Sequence, residues 1–264
     1  MANDIVPTEA GLPAVWDFGE DAGKGFEHQT AEEFQLPFIA LLQDLSPQVT
    51  GEGGASIAGA KAGKFFNTVT EEVFDSFDFV PAHKERVFVE WRPRQQGGGF
   101  VARYLPDDPI VLKARAESKE FGQYLTPNRN NLVDTVYLFG IVDKGDGVLQ
   151  QACLSFSITK MKVYKKWNTQ VNAFTLPGPN GSKVQPPRWA HLLAVSSKRD
   201  KSPKGSFFNI VLAAAKGGIR ESVLAPTDQR YQEAKSLAEL VSKGVAKVSE
   251  EKSTDADDET NSPF

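Results

Sequence analysis

Residues 132–142 and 149–157 are two runs rich in apolar and β-branched side chains, and Asp143-Lys144-Gly145-Asp146-Gly147 lies between them. Glycine and aspartate at that spacing suit a reversal of the chain, so the pair predicts a long antiparallel hairpin. Similar runs bounded by Gly, Pro and Asp predict further strands at residues 65–69, 77–80, 86–91, 190–197 and 206–214. Residues 198–205 read as a basic, mobile loop joining the last two. Such a chain is mainly β, and roughly five core strands with an intervening helix suit an OB-fold-like barrel with added helices, an α+β protein. A sandwich or another mixed α+β architecture fits the same order of elements.

Helical spacing is confined to three places. Apolar residues at 161, 164, 167 and 171 predict a helix over residues 159–174 that carries Lys160, Lys162, Lys165 and Lys166. A last helix is predicted over residues 227–248, after Pro226, with Leu237, Leu240, Val241 and Val245 on its apolar side. Thr30-Ala31-Glu32-Glu33 has the form of a capping box and predicts a short helix entered around Pro37. Residues 51–64, rich in Gly and Ala, read as a loop. The organisation expected is a flexible acidic arm over residues 1–30, one folded domain over residues 31–248, and a disordered acidic tail over residues 249–264.

The formal net charge of the chain, -4, hides a partition. Residues 1–37 carry -7 and residues 250–264 carry -5, which leaves +8 on residues 38–249. Residues 159–216 hold eleven Lys and Arg against the single acid Asp200. A basic body between acidic ends suits a polyanionic partner better than a solvated surface does.

Basic and aromatic residues alternate in three clusters, and a single nucleic-acid strand needs both, because phosphates attract cations and unstacked bases attract π-faces. The first is Trp91, Arg92 and Arg94, followed by three glycines and then Phe100, Arg103 and Tyr104. The second is the helix with Lys160, Lys162, Tyr164, Lys165, Lys166 and Trp167. The third is Lys198, Arg199, Lys201 and Lys204 ahead of Phe207 and Phe208, and Lys61 and Lys64 in the glycine-rich loop join these candidates. Core packing is the competing role for every ring. It is preferred for Phe88, Phe139 and Phe156, while both roles stand for Trp91 and Trp167.

The segment that ends Asp255-Ala-Asp257-Asp258-Glu259-Thr-Asn-Ser-Pro263-Phe264 leaves one ring and a terminal carboxylate on a polar tether. It resembles the acidic C-terminal tips of the single-stranded DNA-binding proteins of bacteria and several phages, which end in an aromatic residue, often as Pro-Phe. The resemblance covers about a twentieth of the chain. It implies that Asp255, Asp257, Asp258, Glu259, Pro263 and Phe264 recruit replication and recombination proteins such as a polymerase, helicase or nuclease. Thr260-Asn261-Ser262, between the acids and the Pro-Phe end, departs from that pattern. The stretch from Val89 to Arg94 with its triple glycine, and Lys165-Lys166-Trp167-Asn168, also look like proteins encoded in phage replication regions.

Other chemistries find little purchase. Gly59-Ala-Lys-Ala-Gly-Lys64 lacks the first Gly and the final Ser or Thr of a phosphate-binding loop. One cysteine and three scattered histidines offer no metal-ligand spacing, and Glu71-Glu72 and Asp107-Asp108 have no histidine near them in sequence. No catalysis, no cofactor and no membrane partner are therefore expected. Without a positive leader or an apolar run at the start, the expected location is the cytoplasm, that of the bacterial host for a phage protein. The function expected is sequence-independent binding and protection of single-stranded DNA. A phage structural or host-factor-inhibiting module and a strand-annealing mediator are the alternatives.

Overall fold

The computed structural model describes residues 35–118, 122, 124–202, 205–246 and 248, together with Lys24. In chain order come β1 (Ile39–Leu41), α1 (Pro47–Thr50), β2 (Phe65–Asn67) and β3 (Val73–Phe74). There follow β4 (Phe77–Trp91), β5 (Phe100–Tyr104), α2 (Pro109–Glu117), β6 (Tyr124–Leu125), β7 (Asn131–Asp143) and β8 (Leu149–Ser157). The last group is α3 (Ile158–Ala173), β9 (Leu176–Pro177), β10 (Lys183–Val184), β11 (Leu193–Ser202), β12 (Gly205–Ala214) and α4 (Gln229–Ser242).

The protein is α+β, and its strands pair antiparallel in every sheet. The main sheet has seven strands built on β4 and β7, which run side by side from the Asp78–Asp143 pair to the Trp91–Asn131 pair. β11 borders the start of β4 and β5 its end, β12 lies outside β11, and β8 and β6 border the other flank of β7. Among the described residues this path does not close on itself, so an open sheet stands where a barrel was expected.

The two strands expected at 77–80 and 86–91 are one. Pro81 lies where the β4–β7 register shifts, between Pro81 and His83. Proline has no N–H for the ladder, and a bulge is where a sheet tolerates it. The extra residue changes the face each later side chain takes, so that Val80 and then Val87, Val89 and Trp91 join one core cluster. Gly140 stands opposite Pro81, where an added Cβ would lie 2.4 Å from the Phe79 ring and from the Val80 carbonyl oxygen.

Helices cover both faces. Val136, Leu138 and Val142 of β7 pack with Met161, Tyr164, Trp167 and Val171 of α3, while Tyr137, Phe139 and Ile141 pack with Ala234, Leu237 and Val241 of α4. Alternate residues thus serve opposite cores, which is why the β7 sequence reads as a nearly continuous apolar run. A third, smaller core seats Val111 and Ala114 of α2 on Phe88, Tyr124 and Leu132 at the end of the β4–β7 ribbon. The carboxylate of Asp108 accepts the Ile110 N–H at 2.8 Å and Pro109 takes the first turn, an N-terminal signal that fixes where α2 begins.

Three expectations are corrected. The helix entered around Pro37 is absent from the described residues. Phe38 bridges to Cys153, and Ile39–Leu41 pairs with β2; Phe38, Ile39, Ala40 and Leu41 are all buried, which a strand between two surfaces allows and a one-faced helix does not. Residues 198–202 and 205, expected in a mobile loop, are paired strand, from Leu193–Ala214 out to Ser202–Gly205. The last helix stops at Ser242 rather than near residue 248. No helix among the described residues is long and apolar enough to cross a membrane.

Candidate nucleic-acid interface

α3 has no acidic residue, and its polar side carries Lys162, Lys165 and Lys166, all exposed. Among the described residues none of the three pairs with a carboxylate. Lysines three and four residues apart line up on one side of a helix, so the three form a single cationic stripe. The rings from the same cluster point the other way. Tyr164 and Trp167 are each only 5% exposed, packed 6.1 Å apart on the sheet, and Lys160 is buried beside them. They are core residues and correct the stacking role considered for them. The hydroxyl of Tyr164 donates to Asn168 at 3.3 Å, and Arg188 lies over the Trp167 ring at 5.5 Å.

β11 and β12 extend beyond the start of β4 as an arm, since β11 pairs with β4 only from Leu193 to Val195. Lys198, Arg199 and Lys201 are exposed on it. Two of them are partnered: Lys198 with Asp200 at 2.9 Å, and Arg199 with Asp44 at 2.9 Å. Exposed pairs of this kind are worth about 0–1 kcal/mol, little enough for phosphate to displace the carboxylate. The arm rests on the glycine-rich loop. The hydroxyl of Ser197 donates to the Gly63 carbonyl, and the Phe208 ring fills the place where a Gly63 side chain would stand, 2.5 Å from an added Cβ. Gly63 also has φ 89°, so glycine is required twice over. This contact brings exposed Lys61 and half-buried Lys64 to the arm; Lys64 pairs with Asp75 at 3.3 Å. The Gln43 side-chain amide donates to the Phe208 carbonyl at 3.0 Å and accepts its N–H at 2.8 Å, on the outer edge of β12.

The far end of β4 holds the other cluster. Trp91 is 4% exposed and meets Phe100 edge-on at 5.9 Å, both in the core shared with α4, so Trp91 too is a packing residue. Tyr104 donates from its hydroxyl to Glu90 at 2.6 Å, which pushes its own pKa up to about 12. Glu90 is buried and also accepts from Thr126 at 2.8 Å and Asn130 at 2.7 Å. Burial raises its pKa, but the three donors outweigh that and hold it below the ordinary carboxylate value. Arg103 faces Glu85 at 3.9 Å, Arg92 is exposed, and Arg94 stands in the 3-10 turn after it. This cluster is therefore organised around an internal carboxylate and stands at the opposite end of β4 from the arm.

Three cations missed in the sequence join α3 on its face of the sheet. Lys84 and Arg86 pair across the ladder with Leu138 and Val136, the residues under α3. Arg86 and Arg115 of α2 lie 6.0 and 5.9 Å from the Phe88 ring. Arg86 also grips Asp134 with two bonds of 2.9 and 2.6 Å, which raises its pKa. Their positions, far apart along the chain, conceal that they share a face. Lys204 and the tail residues Asp255, Asp257, Asp258, Glu259, Pro263 and Phe264 lie outside the described residues. No group of His, Cys, Asp and Glu that could hold a metal ion occurs among the described residues.

No curated protein and no solved structure matches this chain. A family model does, that of the Pam3 phage gp34-like protein, over residues 7–247. With nearly the whole chain matched, including both faces of the sheet, α3 and the arm, this protein belongs to the Pam3 phage gp34-like family.

Proposed function

We propose that this phage protein binds single-stranded DNA without catalysis and with little sequence preference, along the α3 face of its sheet and the adjoining arm. The observation that carries the reading is the stripe of Lys162, Lys165 and Lys166, exposed on a helix without acids and beside a second basic element. Lysines in a row, with no carboxylate partner among the described residues, suit a phosphate backbone, whose counterions they release on binding. The burial of Tyr164, Trp167 and Trp91 leaves affinity to charge more than to stacking. Half-buried Phe207 on the arm is the ring best placed to add a base contact. In the same reading the acidic tip ending at Pro263-Phe264 recruits replication and recombination proteins, and the molecule acts in the host cytoplasm.

The test is anisotropy of a labelled oligo-dT across a range of salt, with the intact chain and with Lys162→Gln/Lys165→Gln/Lys166→Gln. Salt-sensitive binding that prefers single strands is expected, and losing three phosphate contacts should flatten the log–log salt slope by roughly 2. No binding at low salt would overturn the reading. It would bring forward a protein-interaction module, structural or directed against a host factor.

A further inference from the structure

Arg188, at the start of the 3-10 turn Arg188–Ala190, is a cation that the fold half-buries without an acid. Among the described residues no carboxylate pairs with it. Its guanidinium lies over the Trp167 ring at 5.5 Å and donates from Nη2 to Asn168 Oδ1 at 3.3 Å, while Nη1 is enclosed with no partner. Taking a charge out of water costs several kcal/mol unless an opposite charge meets it. Burial accordingly pulls the pKa of Arg188 below the ordinary arginine value, with the Tyr164 side chain opposing. The charge is felt nearby as well: burial first and Arg188 second bring His191 down to about 4.

Asn168 gives that charge an outlet. A guanidinium can only donate, so the amide atom that meets Arg188 is the oxygen, and the same Oδ1 accepts the Tyr164 hydroxyl at 3.3 Å. Two donors on one oxygen fix which way the amide faces. Nδ2 makes no hydrogen bond among the described residues, yet it is not one of the six buried side-chain atoms that lack a partner, so it opens to solvent. Lys165 stands three residues earlier on the same side of α3, exposed and with no carboxylate partner among the described residues. The segment that carries Arg188 is tied to this side one turn further on, where the Gln185 amide donates to the Asn172 carbonyl at 3.3 Å. An amide N–H2, an ammonium and a guanidinium thus gather with no negative charge to match them. We infer that Lys165, Asn168 and Arg188 form a phosphate site on the side of α3. Asn168 Nδ2 and Lys165 Nζ contact the oxyanion, and Arg188 supports it from behind with its charge. That the phosphate belongs to a nucleic-acid strand rests on the strand-binding reading; the site itself rests on the donor set.

Asn168→Asp tests the site with little disturbance of packing. It keeps the oxygen that Arg188 and Tyr164 use, replaces the outward N–H2 by a second oxygen, and supplies the missing carboxylate, so the variant should melt no lower than the parent. Melting of the full-length protein is compared in sodium phosphate and in sodium chloride at equal ionic strength. Phosphate at about ten times its dissociation constant should raise the melting temperature of the parent by about 3 °C and leave Asn168→Asp unmoved. The variant should also bind oligo-dT roughly tenfold more weakly. Asn172→Asp, the same change of charge one turn along, should stay within about twofold of the parent. Equal losses in the two variants would reduce the effect to general repulsion and overturn the site. So would Asn168→Asp matching the parent with both probes, although oligo-dT binding by the parent would then keep the strand reading alive. A phosphate response that Asn168→Asp abolishes, in a parent that binds no oligo-dT at low salt, would uphold the site and assign it to free phosphate. A parent that responds to neither probe would overturn both.

Discussion

The region around α3 and the region at the far end of β4 look alike in sequence, each with arginines or lysines set among Trp, Tyr and Phe. In the fold they differ in what the charged groups do. At the end of β4, Tyr104, Thr126 and Asn130 converge on the buried carboxylate of Glu90, and Arg103 faces Glu85. On α3 the rings are equally buried, yet the lysines beside them face outward with no carboxylate among the described residues to hold them. Composition is thus a poor guide to a binding surface. The guide is whether the protein has already neutralised its own charges.

Four measurements press on this contrast. The largest effect is expected from Trp167→Ala, which removes a ring packed between α3 and the sheet and should cost about 3–5 kcal/mol in urea unfolding. A variant of undiminished stability that binds oligonucleotide poorly would return Trp167 to the surface and break the contrast. Next is pH. His191 titrates near 4 in the folded chain against an ordinary 6.5, so the unfolded chain takes up its proton first as pH falls. Stability present at pH 7 should decline between about 6.5 and 4 by up to about 3 kcal/mol, and His191→Gln should lose most of that dependence. Third, Glu90→Gln should cost about 2 kcal/mol, because an amide cannot accept from three donors as a carboxylate does, while oligonucleotide affinity at permissive temperature stays put. Smallest is Arg103→Gln, expected to leave affinity within about twofold, whereas Lys166→Gln should flatten the salt slope by about 0.7. The reverse ranking would move the interface to the end of β4.

The strands could be read in the sequence wherever side chains alternate or run apolar between turn residues. The β7–β8 hairpin and α3 fall within a residue or so of their expected limits. The union of two strands into β4 was hidden by Pro81, since a proline inside a run signals a break, and only the bulge opposite Gly140 makes it tolerable. α2 had its signal in Asp108-Pro109, but its short apolar face, Val111 and Ala114, has too little period to be noticed beside the strands. For the site, the lysines of α3 were legible because a helix displays every third or fourth residue. Lys84 and Arg86 were not, because which face a strand residue takes beyond a bulge depends on a register that sequence does not state, and Arg115 was not, because α2 itself went unread. Whether a ring faces a core or a strand of DNA was likewise beyond spacing alone.

The clasp of Gln43 on Phe208 has a consequence for how the arm meets other molecules. A strand at the border of a sheet offers its main chain to any extended peptide, and that is how many proteins aggregate or swap segments. Here one amide occupies both main-chain groups of Phe208, and the Ile210 N–H is taken by the side chain of Asn209 at 3.0 Å. A visiting peptide would have to evict Gln43 before it could add to the sheet. The arm is thus guarded against being read as backbone, and what it presents to a partner is its side chains.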